Sequence, residues 1–186
     1  MSILSNQKIN IEKSQKIFND LVKGKVINEL IYDPKTDALV INDLFSEVRD
    51  NLEQYKLQYQ MNGMELVEKA KYFYLIDKSK NSETKQPIKT KVYASMILLV
   101  RFVMSDGGKV FDYLKNINYG VSVKDLDGIE DNPNYLHILK TAKIDKAKNI
   151  LKYLYEKNIL LKTSKDRYIL SDSGNAIIQD IINGNN

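Results

Sequence analysis

Basic side chains gather near the carboxyl end of the chain, where their types and spacing suit contacts with phosphate groups. Residues 145–158 are predicted to form an amphipathic helix whose inner face carries Ala147, Ile150, Leu151 and Leu154. The outer face of this helix and the segments beside it hold eight cations: Lys140, Lys143, Lys146, Lys148, Lys152, Lys162, Lys165 and Arg167. These eight residues form a candidate surface for the backbone of duplex DNA.

Lysine dominates this surface, and the whole chain has arginine only at Arg49, Arg101 and Arg167. Bidentate recognition of guanine favours arginine, whereas lysine binds phosphate as a point charge. We therefore expect contacts with phosphates and not with bases. The alternative is that the lysines only keep a helix face solvated, as most surface lysines do.

Residues that most enzymes need are missing from the sequence. Cysteine is absent and His137 is the single histidine, which excludes disulfides, thiolate nucleophiles and histidine-rich metal sites. His137 is interpreted as a structural residue. Neither G-x-x-x-x-G-K-[ST] nor G-x-G-x-x-G occurs, so a nucleotide site is not expected. We expect no catalytic activity, no cofactor and no metal.

Composition is typical of a soluble globular protein. The chain has 186 residues, a net charge of +4, 43% hydrophobic and 28% charged residues. Its longest apolar run, residues 96–100, is too short to cross a bilayer, which takes about 20 residues. Because residues 1–8 lack an apolar signal core, we expect no secretion and a cytoplasmic location.

The order of predicted elements repeats. Helices are predicted over 11–23, 41–61, 90–104, 134–141, 145–158 and about 172–182, and strand pairs over 65–68 with 72–76 and 159–163 with 167–170. Helices followed by a hairpin occur twice, which is the order of a winged-helix domain. The prediction is an α+β, mainly helical fold of two tandem winged-helix domains at 11–80 and 92–183, joined by a polar linker at 81–91.

Three short segments resemble the MukE and MksE proteins, the tandem winged-helix subunits of bacterial MukBEF-type SMC condensin complexes. Residues 17–27 (IFNDLVKGKVI) are similar to the family's opening motif. Residues 59–67 (YQMNGMELV) and 72–75 (YFYL) resemble its first hairpin, and order and spacing are compatible over 11–183. The length and the lack of a long charged C-terminal tail favour the MksE branch.

The resemblance implies a non-catalytic subunit that forms a homodimer and binds the kleisin subunit. Through the kleisin (MukF- or MksF-like) it would join an SMC ATPase (MukB- or MksB-like), contact double-stranded DNA and associate with the nucleoid. Its role would be chromosome organisation and segregation or plasmid defence. The strongly apolar helix at 92–104 is a second reason to expect a dimer. The alternative function is a stand-alone winged-helix regulator or replication initiator, which the scarcity of arginine disfavours.

Overall fold

The computed structural model describes residues 9–78, 82–105, 107 and 109–184. Within them the fold is α+β and mainly helical with small antiparallel sheets, as predicted. The elements are α1 (Ile11–Val22), β1 (Ile27–Asn28), β2 (Leu30–Asp33), β3 (Ala38–Ile41), α2 (Asp43–Asp50), α3 (Leu52–Gln60), β4 (Met64–Lys69), β5 (Tyr72–Asp77), α4 (Ser82–Ser105), α5 (Val110–Leu114), α6 (Pro133–Ala142), α7 (Lys148–Glu156), β6 (Leu160–Lys162), β7 (Tyr168–Leu170) and α8 (Asp172–Asn183). Two 3-10 turns, Lys124–Leu126 and Ile129–Asp131, precede α6.

The N-terminal half builds its own hydrophobic core between three helices and one sheet. Helices α1, α2 and α3 pack on a three-stranded antiparallel sheet of order β1-β5-β4. Phe45 and Phe73 lie at its centre, with ring centroids 4.9 Å apart. Because side chains alternate along a strand, Tyr72 and Tyr74 point away from this core. Burial raises the pKa of both tyrosines, and Asp180 of α8 adds to the shift at Tyr72.

One local prediction for this half was wrong, and one hairpin was not predicted. The predicted helix at 41–61 is divided into α2 and α3 at Asn51, whose side-chain amide donates to the carbonyl of Glu47 at 3.1 Å. Such a side-chain bond competes with the helical hydrogen-bond pattern. Strands β2 and β3 also form a separate hairpin that pairs Leu30 with Ile41 and Asp33 with Ala38. The sequence pattern at 25–32 does not distinguish helix from strand, and β2 lies largely within that segment.

The C-terminal half surrounds one long helix. The apolar side chains of α4 are mostly buried, as predicted, and the helix contacts α5, α6, α7 and α8 of the same chain. It begins at Ser82, inside the segment 81–91 predicted as a linker. Glu, Lys and Gln are good helix formers, so a polar stretch need not be irregular. Residues 79–81 lie outside the described part, and the domain limits stay a prediction.

A buried polar network around Asn28 joins the two halves. The Asn28 side chain is 2% exposed. Its amide donates to the carbonyl of Asn158 at 2.7 Å, and its oxygen accepts from the Ser173 amide at 2.9 Å. Asn158 in turn donates to the carbonyl of Val26 at 2.9 Å. One asparagine side chain thus provides a hydrogen-bond partner both for a carbonyl just after α7 and for an amide in the first turn of α8.

Further hydrogen bonds extend this contact along the chain from residue 23 to residue 37. The Val26 amide donates to the carbonyl of Lys157 at 3.1 Å, and the Leu30 amide donates to the Asp172 carboxylate at 3.0 Å. At the far end, the Tyr32 hydroxyl accepts from the Ser164 amide at 3.0 Å. The β2–β3 hairpin is therefore attached to the turn between β6 and β7.

We expect Asn28→Ala to lower the free energy of unfolding by about 2–4 kcal/mol, since two buried backbone groups lose their partner at about 1–3 kcal/mol each. Urea denaturation followed by circular dichroism measures the change. The control is Asn134→Ala at an exposed position of α6, which should stay within about 0.5 kcal/mol of the wild type. Equal stability of both variants would contradict the structural role of Asn28.

Candidate nucleic-acid interface

Helix α7 presents the predicted lysines to solvent. Its inner residues Ile150, Leu151 and Leu154 are fully buried, and the helix begins at Lys148, later than the predicted residue 145. Five of the candidate cations are exposed on or before it: Lys140 in the last turn of α6, Lys143 at the end of that helix, Lys146 just before α7, and Lys148 and Lys152 on α7.

The other three candidate cations lie on the β6–β7 hairpin. Lys162, Lys165 and Arg167 line a surface depression of about 490 Å³, which Lys124 and Ser122 also border. Val121 forms a β-bridge with Tyr168 of β7, and this pairing brings Lys124 to the hairpin. Residues 121–123 have the pattern of a short strand, but their pairing with the distant hairpin is not visible in the sequence, and Lys124 is not among the eight predicted cations.

Arg167 is held by its own chain. Its guanidinium donates to the carbonyl of Gly120 at 3.0 Å and lies 3.5 Å from the Asp125 carboxylate. Gly120 has φ +83°, and an added Cβ would sit 2.6 Å from the carbonyl oxygen of Tyr168. The close approach of the two backbones therefore needs glycine here, and Arg167 fixes the loop that carries it.

Two of the lysines face carboxylates. The Lys162 ammonium lies 2.7 Å from Asp166; this hydrogen bond raises the pKa of Lys162 and lowers the pKa of Asp166. Lys152 lies 3.9 Å from Glu156. Both pairs are exposed and salt-screened, so each lysine can exchange its partner for a phosphate at little cost.

Lys165 and Lys124 have no carboxylate partner among the described residues. The Lys165 ammonium donates to the side-chain oxygen of Asn118 at 3.2 Å, and the exposed Lys124 also lines the depression. The structure thus brings four cations together at the depression: Lys162, Lys165 and Arg167 on the β6–β7 hairpin, and Lys124 on the 3-10 turn beside it. The remaining five follow the outer side of α6 and α7.

Other candidate chemistry finds no support in the described part of the chain. It holds no group of three or more histidine, cysteine, aspartate or glutamate side chains that could bind a metal ion. His137 is exposed on α6. Asp125 accepts from the Ser122 amide at 2.7 Å and pairs with Arg167, so it stabilises the loop. No described helix is long and apolar enough to span a bilayer.

Comparison with known proteins gives one result for almost the whole chain. The model of a family described as condensin complex protein MksE matches residues 12–182. No curated protein matches the chain at a significant level.

We expect Arg167→Ala to lower the free energy of unfolding by about 1–2 kcal/mol, because the Gly120 carbonyl and the Asp125 carboxylate lose a donor. Thermal and urea unfolding measure the change. Lys165→Ala, two residues away, is the control, since it breaks one exposed contact and should change stability by less than about 0.5 kcal/mol. If both variants are equally stable, Arg167 does not hold the loop.

Proposed function

The chain belongs to the MksE family of condensin complex proteins, and we propose from this premise that it is a non-catalytic accessory subunit. In this proposal it binds the kleisin of a bacterial SMC complex and contacts DNA through its C-terminal half. The match over residues 12–182 is the observation that carries the proposal. The ATPase activity of such a complex would belong to the SMC partner, which this subunit reaches through the kleisin.

Two tandem winged-helix units are part of this proposal. In the N-terminal half, α2 and α3 precede the β4–β5 hairpin, and β1 pairs with β5. In the C-terminal half, α6 and α7 precede the β6–β7 hairpin, and Val121 pairs with β7. The same order and the same pairing in both halves support winged-helix units at 11–80 and 92–183 with a connecting segment at 81–91.

The proposed DNA contact uses helix α7 and the β6–β7 hairpin beside it. Exposed lysines on both elements can neutralise backbone phosphates and release counterions, which gives affinity without sequence preference. Lys146, Lys148, Lys152 and Lys165 are the proposed contacts. Arg167 joins them only through its exposed edge, because its guanidinium already bonds to Gly120 and Asp125.

Kleisin binding and homodimer formation need exposed apolar surface elsewhere. The helix at 92–104 supplies little of it, because most of its apolar side chains pack within the same chain and Met104 alone among them is exposed; the dimer stays a prediction. Two other surfaces offer apolar side chains: Ile11, Phe18 and Val22 on α1, and Ile31, Leu39 and Ile41 on the β2–β3 hairpin. They support a proposed dimer and a proposed kleisin contact.

The proposed setting is the cytoplasm, in association with the nucleoid. The work of the complex would be chromosome organisation and segregation or defence against plasmids. Neighbouring genes that encode a kleisin-like and an SMC-like protein would support the assignment. A gene that stands alone would instead favour a winged-helix regulator.

We expect the cognate kleisin fragment to bind this chain with a clearly negative heat-capacity change, because apolar surface is buried on binding. Isothermal titration calorimetry at several temperatures measures it. The variant Phe18→Ser with Val22→Ser tests the α1 surface, and Leu136→Ser on α6 is an exposed apolar control. No heat at tens of micromolar kleisin would contradict the proposed function.

We expect Lys152→Glu with Lys165→Glu to weaken binding to every DNA duplex by a similar factor. The slope of log affinity against log salt should become shallower by about 0.9 for each lost phosphate contact. Fluorescence anisotropy on duplexes of unrelated sequence measures both effects. The matched control is Lys16→Glu with Lys109→Glu, two exposed lysines away from α7 and the hairpin.

Unchanged duplex affinity in the Lys152 and Lys165 variant would remove the proposed DNA contact. A loss confined to one DNA sequence would favour the regulator.

A further inference from the structure

An exposed tyrosine stands beside the basic depression. Tyr119 is 55% exposed, although its side chain is large and apolar over most of its surface. One face of its ring packs on Tyr113, with centroids 6.1 Å apart and an interplanar angle of 24°. The residue before it, Asn118, bonds to Lys165, which lines the depression. The segment that carries the exposed Tyr119 ring is therefore tied to a cation of the depression through Asn118.

The loop that carries Tyr119 is fixed at both ends. The Tyr119 amide donates to the carbonyl of Asn116 at 3.0 Å, and the Gly120 amide donates to the carbonyl of Tyr113 at 3.0 Å. The Gly120 carbonyl accepts from Arg167. A ring held in place by its neighbours loses little conformational entropy when a flat ligand stacks on it.

A second exposed tyrosine lies at the end of α7. Tyr155 is 45% exposed, and its ring meets that of Tyr168 edge to face at 6.1 Å. It lines a second depression together with Lys162, which also lines the first. Two exposed aromatic rings are thus linked to cations of the β6–β7 hairpin: Tyr119 through its neighbour Asn118, which bonds to Lys165, and Tyr155 through the depression that it shares with Lys162.

We propose that this surface binds single-stranded DNA, with bases stacked on Tyr119 and Tyr155 and phosphates on Lys124, Lys162 and Lys165. A duplex offers its phosphates but keeps its bases stacked inside, so it would use the lysines alone. Unpaired bases offer a flat face to any exposed aromatic ring, which makes such binding tolerant of sequence. The inference rests on the proposed DNA contact and adds to it a preference for unpaired strands.

The test compares a labelled dT20 oligonucleotide with a 20-base-pair duplex in fluorescence anisotropy, using the full chain. The variants are Tyr119→Ser, Tyr155→Ser and the conservative Tyr119→Phe. A stacked base contributes enough that Tyr119→Ser should weaken dT20 binding at least about fivefold. Duplex affinity should stay within about twofold, and Tyr119→Phe should bind dT20 as the wild type does. Circular dichroism and melting curves report whether each variant is folded.

Met61→Ser is the control for loss of an exposed apolar side chain far from the hairpin, since Met61 follows α3 and is exposed. Equal loss of dT20 and duplex binding in folded Tyr119→Ser and Tyr155→Ser, or no loss in either, would overturn the inference. In that case a continued effect of the Lys152 and Lys165 variant on the duplex would leave the proposed DNA contact standing. Absence of any DNA binding by the wild type would overturn both.

Discussion

The arrangement of the two halves depends on one buried asparagine. Asn28 has its side-chain amide and oxygen bonded to Asn158 and Ser173, which end α7 and begin α8. A buried amide that lost these partners would leave unpaired donors and acceptors away from solvent, which costs more than the bonds gain. The network therefore accepts one relative placement of the halves and penalises others.

The relative placement of the halves determines how the β6–β7 hairpin and its basic side chains are held. Residues 26–32 run along the end of α7 and reach the turn of the β6–β7 hairpin, where Tyr32 bonds to Ser164. The β6 side of the hairpin is thus held by the N-terminal half, and the β7 side is held by Val121 and Arg167. Cations on such a hairpin are presented in a fixed pattern, which suits binding to a backbone with regular spacing.

Membership of the condensin complex protein family fits the proposed role of an accessory subunit that binds its partners through its surface. Exposed apolar side chains on α1 and on the β2–β3 hairpin lie in the N-terminal half. The lysines of the proposed DNA contact and the exposed Tyr119 and Tyr155 lie in the C-terminal half. In the proposed function, α1 would bind a protein partner while the C-terminal half binds DNA. The β2–β3 hairpin lies beside the DNA surface, since Tyr32 and Pro34 line the same depression as Tyr155 and Lys162.

Periodicity in the sequence was sufficient to predict the α+β class, the β4–β5 and β6–β7 hairpins and the inner face of α7. Each of these depends on which side chains within one element are buried. It also indicated the outward lysines and, through short motifs, the family.

Tertiary structure decided the rest. In the buried polar network, Asn28 bonds to Ser173, which lies 145 residues further along the chain. No local sequence pattern indicates that such a polar side chain is buried. The partners of Arg167 and the place of Lys124 beside the β6–β7 hairpin depend on contacts between segments more than 40 residues apart, which the order of residues along one element does not contain. The β2–β3 hairpin and the division at Asn51 rest on local contacts, but the residue pattern there does not distinguish them from the alternatives.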